Sequence, residues 1–259
     1  GDNNSAFGYG ALGSVTTGQL NNAFGKDALF TVTTGNNNVA MGQNALYTNN
    51  ASNNTAIGYY ALKANTTGSE NTAVGQNSLQ ANTTASDNVG VGHSALEANT
   101  TGAGLTAVGK NALKANTTGT RNIAIGFGAY DASDTENDNL AIGYEAMTTN
   151  TAGGTGNIAI GNYALDALTS GDENVAIGKN AGGAMTTASE NVAIGNAALA
   201  TGNVTGGANV AIGSNAMNKN TTGENNTAVG KAAMDANTTG VANVAVGKDA
   251  LQDNTTGDA

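Results

Sequence analysis

One pattern of apolar and polar positions recurs along the whole chain: Asn, any residue, Ala, a large apolar residue, Gly, two variable residues, Ala, then Leu or Met. Its glycines are Gly8, Gly25, Gly42, Gly58, Gly75, Gly92, Gly109, Gly126, Gly143, Gly161, Gly178, Gly195, Gly213, Gly230 and Gly247. Successive spacings are 17 residues, with one of 16 and two of 18, which makes fifteen copies of one unit. The segment Asn174-Val175-Ala176-Ile177-Gly178 has the period-2 alternation of a short strand, so Val175 and Ile177 share one face and Ala176 takes the other. A second motif, Asn-Thr-Thr-Gly, lies between copies, as at residues 65–68, 116–119 and 237–240. A unit this short cannot hold the helix pairs of helical repeats, which need about 33 residues or more. The pattern therefore predicts an all-β chain: a parallel β-solenoid of about fifteen 17-residue coils, with residues 1–259 a single repeat array.

Fifteen copies in one chain let each column be read for what it tolerates. The residue before Gly is always large and apolar: Phe7, Phe24 and Met41 first, then only Ile or Val, including Ile57, Val74, Ile125, Ile142, Ile160, Ile177, Ile194 and Ile212. This column is expected to be the buried spine, and its wider N-terminal end is expected to dock against something. Two residues earlier, nine copies carry a large aliphatic, but Thr55, Thr72, Thr106, Thr227, Ser5 and Asn22 also occur, as at an inward position near an edge. The intervening residue is Ala in every copy except Gly90, which implies close packing on that side.

Glycines such as Gly58, Gly75, Gly126, Gly143, Gly178 and Gly195 call for a positive φ or for a backbone approach too close for a Cβ. The Ala and Leu that follow, with exceptions at Ser78, Tyr130 and Gly182, form a second apolar strip, expected to be extended. The leading Asn, as in Asn71, Asn122, Asn174 and Asn191, is missing only at Leu105. Stacked amides can bond from copy to copy and pin the register; a turn former ahead of a strand is the other reading.

Composition changes the picture by exclusion. Aromatics make up 4% of the chain, and Trp, Cys and Pro are absent, so a globular core has little to fill it. A net charge of −10, with only nine Lys and Arg, argues against nucleic acid and anionic membrane surfaces as partners. No apolar run is long enough to span a bilayer, so no membrane insertion by this segment is expected. Catalysis finds little material: His93 is the only histidine and sits at a variable position, and no enzymatic activity and no cofactor are expected. Glu70, Asp87, Asp138, Glu173 and Glu190 precede the Asn column and are candidates for Ca²⁺ through oxygen ligands. Arg121, Ala208 and Ala242 interrupt that row, as on a solvated edge that blocks unwanted pairing.

Residues 174–178, and likewise 191–195 and 209–213, resemble the Ser/Asn-Val-Ala-Ile-Gly repeat of the YadA-like head domains of trimeric autotransporter adhesins. That resemblance implies a left-handed β-roll, a side-by-side homotrimer, and a surface that binds host or cell-surface protein or glycan. The departure is length, since this unit carries an added Thr-Thr-Gly loop. The longer pattern Thr-Thr-Gly-x-x-Asn-x-Ala-x-Gly-x-x-Ala-Leu, complete at residues 238–251, is similar to repeats of phage tail-fibre and bacterial surface proteins. Those often precede an endosialidase-type chaperone domain. The resemblance implies an extracellular location, on a cell or virion surface, and a structural or adhesive fibre segment. The alternative is a subunit that stacks head to tail into a filament through uncapped solenoid ends. A third reading, ice binding, rests on the regular threonine ranks.

Overall fold

The structure, a computed structural model, describes residues 1–149 and 153–258. It is an all-β parallel solenoid with no helix among the described residues. The chain divides into two compact units, Gly1–Thr135 and Glu136–Ala259. The first holds β1 (Ser5–Phe7), β2 (Asn22–Phe24), β3 (Val39–Met41), β4 (Thr55–Ile57), β5 (Thr72–Val74), β6 (Val89–Val91), β7 (Thr106–Val108) and β8 (Ile123–Ile125). The second holds β9 (Leu140–Ile142), β10 (Ile158–Ile160), β11 (Val175–Ile177), β12 (Val192–Ile194), β13 (Val210–Ile212), β14 (Thr227–Val229) and β15 (Val244–Val246). Within each unit every strand pairs in parallel with the next, like residue on like: Ser5 with Asn22, Ala159 with Ala176, Ile177 with Ile194.

Three-residue strands are too short to hold a stack by themselves, and the corners supply the rest. In the β10 coil, Gly161 N–H donates to Ile142 O (2.7 Å), Leu165 N–H to Ala181 O (3.1 Å) and Thr169 N–H to Thr186 O (2.8 Å), each between neighbouring coils. Glu173 N–H donates to Thr155 O at 2.9 Å in the same way. The strip after the glycine, expected to be extended, is instead a run of tight turns: Ala164 N–H bonds back to Gly161 O and Leu168 N–H to Leu165 O. The unit therefore contributes one strand to one sheet and closes its circuit with turns.

Closing a circuit in so few residues demands left-handed backbone. Gly161 sits at φ 135°, Tyr163 at 59°, Leu165 at 51° and Glu173 at 56°, and the equivalent positions repeat along the chain. A leucine in the left-handed region costs about 1–2 kcal/mol. It persists because the hydrogen bonds to the adjacent coil fix that corner.

The expected spine is inverted. The strand alanines, not the large residues flanking them, point inward: Ala56, Ala141, Ala159, Ala176, Ala193 and Ala211 are all fully buried. Ile57, Ile125 and Ile177 are 38%, 39% and 37% exposed, and Val74, Ile142, Ile160, Ile194 and Ile212 are half-buried on the same outer face. The physical reason is the width of the coil. The leucine column packs directly against the alanine column: a Cβ placed at Gly182, in the leucine column, would lie 3.5 Å from Ala176 Cβ. An isoleucine in place of the alanine would collide.

Candidate functional site

The interior is lined by asparagine as well as by alanine and leucine. In the leading column, Asn174 Nδ2 donates to Asn157 Oδ1 (3.0 Å), Asn191 Nδ2 to Asn174 Oδ1 (3.2 Å) and Asn209 Nδ2 to Asn191 Oδ1 (3.1 Å). The same oxygen accepts the backbone N–H of the next asparagine, and the remaining N–H reaches a loop carbonyl, as from Asn174 to Ala188 O at 2.8 Å. Asn71 bonds to Asn54 Oδ1 at 3.1 Å, and Asn71, Asn122, Asn174 and Asn191 are all fully buried. At the single exception, Leu105 N–H still donates to Asn88 Oδ1 at 2.9 Å.

Sequence reasoning missed a second ladder. The Asn of Asn-Thr-Thr-Gly is buried, and Asn82, Asn99 and Asn116 each donate to the preceding amide oxygen at 2.9, 3.0 and 3.0 Å. The available signal was substitution: the column also holds Val32, Leu168, Met185 and Val204, and a position that exchanges amide for aliphatic is interior. Met185 occupies space left free by Gly182, where a Cβ would meet its sulfur at 2.9 Å.

The turn glycines stack. At Gly178 (φ 134°) an added Cβ would lie 2.6 Å from Gly195 O; at Gly58 (φ 142°) and Gly75 (φ 131°) it would lie 2.4 Å from the next glycine oxygen. Gly143 and Gly195 are confined in the same way, and Gly126 shares the backbone angle at φ 140°. Both reasons anticipated for glycine hold at Gly58, Gly75, Gly143, Gly178 and Gly195.

The chain's two surface features follow from this interior. Of the paired threonines, the first is engaged: Thr66, Thr83 and Thr100 each donate a hydroxyl hydrogen to a threonine carbonyl of the next coil, at 2.9, 3.1 and 3.0 Å. The second, as at Thr67, Thr84, Thr101 and Thr118, is exposed, which leaves one rank per corner. The other feature is the outer face of the sheet. Its two columns, Val175/Ile177 in one coil and Val192/Ile194 in the next, carry no Asp, Glu, Lys or Arg at any of the fifteen strands, in a chain of net charge −10.

Other candidate groups are dispersed. His93 is exposed, and so are Glu70, Asp87, Asp138, Glu173 and Glu190. Among the described residues no three His, Cys, Asp or Glu side chains are grouped to hold a metal, and no helix is long and apolar enough to cross a membrane. Tyr59 and Tyr60 stack at 3.9 Å, with Lys63 over the Tyr60 ring at 4.1 Å, while Tyr144 and Tyr163 meet edge to face at 5.5 Å. These pairs sit in different coils and make no continuous stripe. The Asp166 carboxyl is lifted above its ordinary range; burial is the main cause, backbone N–H groups of Asp166 and Ala167 oppose it, and the charge of Glu145 adds to it. No protein-family profile matches the chain, and no curated protein matches it.

Proposed function

We propose that the chain is a structural segment of an extracellular fibre, without catalysis, in which copies associate side by side through the outer face of the sheet. The observation that carries this reading is the uncharged apolar face. Outward strand positions in a solvated sheet ordinarily hold charge, which discourages association. Here the charges lie at the corners, and the two outward columns hold Ile, Val and Thr almost throughout. Chains repelled by their net charge can still meet across a face that bears none.

A side-by-side homotrimer is the arrangement favoured by the resemblance to adhesin head repeats, and a role in adhesion to protein or glycan follows from the same likeness. Light scattering on the chromatographed chain is expected to give a discrete small oligomer. Long unbranched threads in negative-stain images would replace lateral association with head-to-tail stacking. A stable monomer at all concentrations would remove both.

A further inference from the structure

A periodic apolar face has a weakness as an interface. Sliding one copy past the other by a single coil, about 4.8 Å, restores nearly the same contacts, so register is poorly specified. In the first unit the face is not uniform. At β1 and β2 the second outward column holds its bulkiest residues, Phe7 and Phe24, stacked at 4.8 Å with ring planes 9° apart. At the same two strands the first column holds its smallest and most polar, Ser5 and Asn22, where β3 has Val39 and β8 has Ile123. The result is an open groove of about 230 Å³ between the ring stack with Met41 on one side and Ser5, Asn22 and Val39 on the other. Phe7 is 69% exposed and Phe24 53%.

We infer that this groove is the register key of the lateral contact, filled by the Phe7–Phe24 stack of a second copy of this chain lying parallel and in register. The inference rests on the side-by-side reading above. A second copy is the occupant because only another stack with the same rise can match the face coil for coil over eight strands. The distribution of bulk sets the geometry. Large residues in one column coincide with small residues in the other at the same coil, so bulk meets hollow only when the second column of one copy packs on the first column of its neighbour. Such a contact is heterologous, each copy offering one column to each neighbour, and it closes into a ring when the rotation permits. An antiparallel pair would set the rings against coils that have no hollow.

The chain has no cysteine, so introduced thiols report register cleanly. Single variants Ile123→Cys and Ile125→Cys, mixed and oxidised mildly, are expected to cross-link to each other. Ile123→Cys mixed with Val91→Cys, two coils away, is expected to stay largely unlinked, since Cα atoms beyond about 7 Å cannot be bridged. Introducing Ser5→Val, Phe7→Ile, Asn22→Val and Phe24→Ile together makes the face uniform at exposed positions; the offset pair should then rise at least fivefold, with the oligomer retained. If the oligomer persists and its register stays sharp in that background, the key lies elsewhere while side-by-side association survives. If Ile123→Cys links chiefly to its own kind, the columns pair like on like and the inference fails. A monomer overturns both readings, and a monomer whose groove takes up the dye ANS shows that no copy fills it.

Discussion

At the residue scale, the most demanding positions are the ones with least side chain. Gly178 combines φ 134° with a carbonyl oxygen 2.6 Å from where a Cβ would stand. Gly178→Ala is therefore expected to cost about 3–5 kcal/mol, read as a lower urea midpoint. Asn174→Ala removes two donated bonds and leaves the Asn191 backbone N–H and side-chain amide without their acceptor. A loss of about 2–4 kcal/mol is expected in the same assay. Asp166 tests the sign of an electrostatic effect. A carboxyl raised by burial destabilises the fold when ionised, so its penalty is complete at neutral pH and vanishes as the pH falls below about 4. Asp166→Asn should raise the melting temperature at pH 7 and leave it unchanged at pH 3.

At the scale of the element, the one-strand coil decides which apolar side chains matter for folding. Leu165 is fully buried whereas Ile177 is 37% exposed. Leu165→Ala is expected to cost about 2–5 kcal/mol, and Ile177→Ala less than about 1.5 kcal/mol in dilute protein; equal costs would restore isoleucine to the interior. The columns themselves were legible in the sequence, and so was the strand within each unit. Which side of the strand faces in was not, because alternation assigns residues to two faces without saying which is covered. Size suggested the isoleucines. The tolerance of the first column for Ser5, Asn22 and Thr55, beside near-invariant alanine, pointed the other way. Two exceptions in different coils explain each other only in three dimensions. Ser78 replaces alanine after the turn, Gly90 replaces alanine in β6, and the Ser78 hydroxyl donates to Gly90 O at 2.8 Å, standing 2.6 Å from the absent Cβ.

For the whole molecule, coils joined only to their neighbours make stability close to a sum of nearest-neighbour terms. Removing residues 175–191 joins Asn174 to Val192 in register. That deletion should lower the melting temperature by less than about 5 °C, while removal of one residue fewer from the same strand, which breaks the register at that coil, should lower it further and split the unfolding into separate steps for the coils on either side. Ile177→Lys places a charge on the apolar face. It should leave circular dichroism intact and shift the sedimentation profile toward single chains.

All three departures from the common spacing fall in one stretch, between the leucine and the loop glycine or its alanine equivalent: residues 46–51, 147–154 and 199–206. Where the stretch is one residue short, the Asn50 side-chain oxygen accepts from Thr33 N–H (2.7 Å) and the Thr33 hydroxyl (2.9 Å), the two groups that at Thr66, Thr83 and Thr100 meet a threonine carbonyl. This corner thus absorbs changes of length that no other part of the unit has admitted. It is the place where lineages can splice new loops into the array and vary what the outside world meets, while the stack behind it stays the same.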